Sequence, residues 1–149
     1  MRVKRVLFIV GLLMLLAIVC SCANSATYSA VDESDIDWVY YNERAAEFIE
    51  AASRGDYDEA EKMFSPDMVL GFGADGLKDA WEQMISATGE YIGIYDILND
   101  TSDGYFVSGV IMQLENSGFA WNVVFSKDGT IEGLWSGGTI ALRDLTIES

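Results

Sequence analysis

The hydrophobic period of the chain changes near residue 90, and that change limits the fold more than any other feature. Over 37–88 apolar residues recur every three or four positions; over 90–135 they alternate. A helix buries a stripe and a strand buries a face. The simplest chain that buries both lays the helices of its first half against one face of a sheet made by its second half.

In the first half, Tyr41, Ala45, Phe48, Ile49 and Ala52 fall on one side of a helix over 37–54, which Gly55 stops. Asp56 with Glu59 three residues on reads as a capping box, opening a second helix that runs to Phe64 and buries Ala60, Met63 and Phe64. Ser65-Pro66 breaks it and offers a start for a short extra turn. The run Gly71-Phe72-Gly73-Ala74-Asp75-Gly76 has the spacing G-x-G-x-x-G. A dinucleotide fingerprint needs a preceding strand and a βαβ unit, and helices precede this one, so it reads as a loop. A third helix is expected from Asp75 or Gly76 to Thr88, with Leu77, Trp81, Met84 and Ile85 inward.

In the second half, strands are expected over 91–98, 105–114, 119–126 and 130–135. The connections, 99–104, 115–118 and 127–129, have hairpin length, so the sheet is antiparallel. The third strand sets Phe119, Trp121, Val123 and Phe125 on one face and Ala120, Asn122, Val124 and Ser126 on the other. Thr139-Ile140-Ala141-Leu142 alternates too, and either adds an edge strand or stays loose. The fold class is α+β, with three N-terminal helices packed on a curved four-stranded antiparallel sheet.

This combination resembles the DUF3887 family, within the NTF2-like superfamily of cone-shaped α+β domains. The likeness is carried by Ala46-Glu47-Phe48-Ile49, Gly55-Asp56-Tyr57-Asp58-Glu59-Ala60 and Met63-Phe64-Ser65-Pro66-Asp67-Met68. It continues in Leu77-Lys78-Asp79-Ala80-Trp81-Glu82-Gln83, Gly89-Glu90-Tyr91, Val123-Val124-Phe125-Ser126-Lys127-Asp128-Gly129 and Ile131-Glu132-Gly133-Leu134-Trp135. It spans 41–136. It implies a cone with a pocket between helices and sheet, and no particular chemistry.

Ahead of the domain, Arg2, Lys4 and Arg5 precede an apolar run over 6–19. That run suits the core of a signal peptide and falls short of the roughly 20 residues that span a bilayer. Val19-Cys20-Ser21-Cys22 resembles a bacterial lipobox, which implies an acylated Cys22 as the new N-terminus. A Cys20–Cys22 disulfide, or ordinary cleavage near Ala23 or Ala26, are the plainer alternatives. Cys20 suits acylation less well, because the branched Val19 precedes it. Each buried methylene is worth ~0.8 kcal/mol, so two or three acyl chains hold a protein where one does not. The expected organisation is a leader over 1–21, a flexible tether over 22–36, the domain over 37–136 and a C-terminal extension over 137–149. The expected location is the extracytoplasmic face of the cell membrane.

From Cys22 onward six basic residues face 24 acidic ones, a net charge of −18. Such a surface repels phosphate backbones, which excludes nucleic acid, and repels anionic headgroups, which leaves membrane contact to the lipid. The chain has no histidine, so it lacks the commonest general base and metal ligand. No metal and no cofactor are expected. Asn99 to Gly104 imitates a calcium loop, but Val110 stands where the bidentate glutamate belongs. Ser136 has no glycine two residues before it, so it is not a nucleophile elbow.

Trp81, Trp121 and Trp135 are candidates to line an aromatic ligand pocket, with plain core as the simpler reading. Asp96, among apolar neighbours and near Tyr91, Tyr95 and Tyr105, would be a base if buried and a surface carboxylate if not. Tyr95 and Asp96 join the three tryptophans as candidate ligand-binding residues; no catalytic residue is assigned. The expected function is a non-catalytic module that binds a small ligand, a peptide or an envelope protein. The alternative is a small hydrolase or isomerase using Asp96 and a tyrosine. A homodimer through the sheet is a third reading.

Overall fold

The computed structural model describes residues 33–145; the leader, Cys22 and most of the tether lie outside them. A 3-10 turn at Glu33–Asp35 leads into helix α1, Trp38–Ser53. Asp37 caps it, accepting the Tyr40 N–H at 3.2 Å. The buried residues Tyr41, Ala45, Phe48, Ile49 and Ala52 fall on the expected face. Gly55, at φ +77°, ends the helix. Its N–H reaches Ala52 O and the Asp56 N–H reaches Ala51 O, the paired bonds of a Schellman motif.

Among the described residues four α-helices form, not three. Helix α2 is Tyr57–Glu61, α3 is Pro66–Gly71 and α4 is Gly73–Thr88. The expected capping box is absent: the Asp56 carboxylate caps nothing and instead accepts from Arg54 Nε at 3.1 Å, while Glu59 pairs with Lys62. Helix α2 stops early because its following backbone leaves to pair with the sheet. Ile131 N–H donates to Met63 O and Ser65 N–H donates to Ile131 O. Ser65 then caps α3, its Oγ accepting from Met68 N, with Pro66 at the first helical position.

The glycine-rich run is helix and not loop, with Phe72 as the one joint between α3 and α4. Gly73, at φ +60°, makes the turn, and the Glu61 carboxylate accepts the Ala74 N–H at the start of α4. Gly76 is required for space: a Cβ there would stand 2.7 Å from the Phe72 ring.

The sheet is an antiparallel meander, β1 (Tyr91–Ser102), β2 (Tyr105–Leu114), β3 (Gly118–Phe125) and β4 (Ile131–Ile140) in spatial order. Strand β1 runs four residues further than its apolar pattern. Asp103 and Gly104, at φ 51° and 84°, alone suffice for the tight hairpin turn. Strand β4 also runs on. Ala120 pairs with Gly138 and Trp121 with Ser136, so Gly137 is an extra residue, and the alternating piece after it continues β4 as a bulged strand rather than forming a separate one. A 3-10 turn at Leu142–Asp144 brings Leu145 onto Gly118.

One face of the sheet receives the helices. Phe106, Val110, Met112, Leu114, Trp121, Val123 and Phe125 join Phe48, Ile49, Leu77 and Trp81 in one core. Each large side chain so buried contributes about 1.5–3 kcal/mol. Buried Ser108 is satisfied across the layers, donating to Asn42 Oδ1 at 3.1 Å. Helix α1 also grips the β3–β4 turn. Tyr40, Tyr41 and Arg44 donate to the carbonyls of Asp128, Lys127 and Gly129 at 3.3, 3.0 and 2.8 Å. Among the described residues no helix is long and apolar enough to cross a membrane.

Candidate functional site

Four of the five candidate residues divide between two faces of the sheet. Trp81 on α4 and Trp121 on β3 are core, 5% and 4% exposed. Their rings meet edge to face at 5.4 Å, with Tyr91 5.7 Å from Trp81 and Phe48 6.4 Å from Trp121. Trp135 lies on the opposite face of the sheet and is half exposed. Tyr95 is half-buried at an irregularity of β1, between Ile94 and Asp96. The irregularity turns Asp96 into register with Ile111, on the face away from the helices. There Asp96 is exposed, accepting its neighbour's N–H at Ile97, and no buried base exists at that position.

The face away from the helices builds the most distinctive site. In-register pairs run in rows across all four strands. One row is Leu98, Gly109, Asn122 and Trp135. On one side of it lies the row Asp100, Val107, Val124 and Gly133, and on the other Asp96, Ile111, Ala120 and Gly138. The middle strands supply small or branched residues and the outer ones Leu98 and Trp135, so the face is a trough. Its volume is about 560 Å³, and Asn99, Ser102 and Ile140 complete its lining. Val107 and Val124 are buried here although they take no part in the helical core.

Asn122 is the polar centre of this apolar surface. It is half-buried, and its amide has no hydrogen-bond partner among the described residues. Glycines hold space on both sides of it. A Cβ at Gly109 would stand 3.1 Å from its Oδ1, and one at Gly137 3.3 Å from its Nδ2. The Trp135 ring leans along β4, its Cζ3 3.5 Å from where a Gly133 Cβ would be. Asn122, Gly109 and Leu98 were not among the candidates. The available signal was a lone amide in the alternation of β3, and its glycine neighbours come from two other strands.

Two further features lie on the helical side. The Tyr91 phenol donates to Glu50 Oε1 at 2.8 Å, tying β1 to α1 beside Trp81. Burial, reinforced by that bond and the Glu50 charge, pushes the phenol well above its usual range. A groove of about 690 Å³ between α1 and α2 is lined by Glu43, Glu47, Arg54 and Lys62 among others. Arg54 and Lys62 are engaged there in surface pairs with Asp56 and Glu59, which are worth little. Among the described residues no three His, Cys, Asp or Glu side chains gather to hold a metal.

A family model described as a protein of unknown function, DUF3887, matches residues 45–134. The match runs from the middle of α1 through Leu134 of β4, and so includes three of the four members of the Leu98–Trp135 row. No curated protein and no solved structure matches the chain.

Proposed function

We propose, since the chain belongs to the DUF3887 family and that family carries no assigned chemistry, that the protein is a non-catalytic binding module of NTF2-like architecture. It works at the extracytoplasmic face of the membrane, held there by a lipid on Cys22. The address is read from the basic start, the apolar run over 6–19 and the lipobox-like Val19-Cys20-Ser21-Cys22. The domain binds through the trough on the sheet face away from the helices.

The observation that carries this reading is the unpartnered Asn122 amide, set between Gly109 and Gly137 and beside the half-exposed Trp135. A polar group of this kind in an apolar surface gains nothing for the fold and is poised to orient a ligand. Binding and not catalysis is supported by the position of Asp96, exposed at the sheet margin without a buried acid or base near it. Two measurements test the reading. Radioactive palmitate labels the wild-type chain and not Cys22→Ala; equal labelling of both removes the anchor. A panel of metabolites and envelope proteins, screened by the resonances of Trp135 and Asn122, contains a species that shifts them; a silent trough removes the binding site.

A further inference from the structure

We infer that the trough takes an extended peptide segment in which apolar and basic side chains alternate, an inference that rests on the reading of this face as the binding site. The Asn122 amide offers an acceptor and two donors in apolar surroundings, with no partner of its own. The backbone of an extended peptide offers the complementary N–H and C=O. A purely hydrocarbon ligand would cover this amide and leave it unpaired, which is unfavourable. A ligand with backbone amides satisfies it.

The dimensions agree. Leu98 and Trp135 stand at opposite ends of a row crossing three strand intervals of ~4.8 Å each, about the length of four extended residues. Apolar side chains of the peptide fall toward Leu98 at one end and Trp135 at the other, between Val107 and Ile111 of the two flanking rows, and the intervening ones point away from the floor toward the rim.

The rim is acidic. The four strands carry Asp96, Asp100 and Glu132 and no lysine or arginine. Asp96 and Asp100 flank Leu98 on the trough face, and the whole chain carries −15. Basic side chains at the edge of the peptide meet these carboxylates. A second copy of this chain would set carboxylate against carboxylate, so charge disfavours self-association through this face.

The test uses the full 15N-labelled chain, kept in solution by a non-ionic detergent. The probes are three capped nine-residue peptides that alternate valine with lysine, serine or glutamate. The reporters are the Trp135 indole N–H and the Asn122 side-chain amide. The lysine peptide shifts both, the serine peptide does so at about tenfold higher concentration, and the glutamate peptide at none. Salt at about 1 M removes the advantage of lysine over serine. Asn122→Ala weakens the lysine peptide about tenfold, read at Trp135, with its melting temperature retained. Asp96→Asn with Asp100→Asn abolishes the lysine preference and keeps serine-peptide binding. Equal binding of all three peptides, or binding of none, overturns the inference. If no peptide binds but a non-peptide compound or the protein's own concentration moves the reporters, the inference falls and the trough remains a binding face. If nothing moves them, both fall.

Discussion

The Tyr91 hydroxyl on β1 donates to the Glu50 carboxylate on α1 at 2.8 Å, the one side-chain hydrogen bond joining the first strand to the first helix among the described residues. Burial, then the bond and charge of Glu50, hold the phenol protonated beyond the ordinary tyrosine value of 10.0. A group raised in the folded state contributes stability that is complete below its unfolded pKa and is lost as pH rises through and past it. The contribution of Tyr91 is therefore constant up to about pH 10 and declines above. Tyr91→Phe is expected to lower stability by about 1 kcal/mol at neutral pH. It is also expected to flatten the alkaline decline seen by denaturant titration between neutrality and pH 11. An identical alkaline slope in both proteins would remove the pair as its cause.

Gly129 sits at φ +80° under the Tyr40 ring, and a Cβ there would lie 2.3 Å from the Tyr40 hydroxyl. Two costs are combined in Gly129→Ala. The left-handed backbone costs about 1 kcal/mol for alanine, and the clash adds to it unless Tyr40, itself 39% exposed, swings aside. In Tyr40→Ala the clash is absent. The Gly129→Ala penalty is then expected to fall to the backbone part alone, about 1 kcal/mol, in a double-mutant cycle. A penalty unchanged by Tyr40→Ala would mean the ring does not constrain the turn.

The tryptophans separate by face. Trp121, buried against Trp81 and Phe48, is expected to cost about 3–5 kcal/mol as Trp121→Ala. Trp135, half exposed, is expected to cost about 1 kcal/mol or less as Trp135→Ala. Thermal unfolding followed by circular dichroism measures both. A large loss at Trp135 would mean that it is structural, and the trough would lose its aromatic wall as a binding element.

Much of the fold was legible because its determinants are local. The change of period at residue 90 separates helices from strands, and Ala45, Phe48 and Ile49 point inward as their spacing requires. The misreadings came from local signals overruled by partners distant in sequence. Gly71 to Gly76 looks like a loop, yet it is helix, because the Phe72 ring fills the space a side chain at Gly76 would need and Glu61 caps the Ala74 N–H. Asn99 to Ser102 is rich in turn formers, yet pairing with 105–108 of β2 draws it into strand. The site was less legible still. The alternation of β3 places Asn122 on the outward face, but its isolation depends on glycines in β2 and β4 that only the register brings beside it.

The same isolation makes Asn122 a test of function through stability. A residue kept for the fold would have its amide satisfied, and its loss would destabilise. Here the amide is half-buried and unpartnered, on a central strand where β-branched residues fit well. Asn122→Val adds apolar surface beside Val107, Ile111 and Trp135 and removes a polar group that gains nothing in the free protein. The expected result is a rise in stability of about 0.5–1 kcal/mol, seen as a higher melting temperature, together with loss of whatever the trough binds. A substitution that stabilises the fold while abolishing binding would place the cost of Asn122 in function. A destabilising Asn122→Val would instead show that the amide serves the sheet, and the site would lose its central residue.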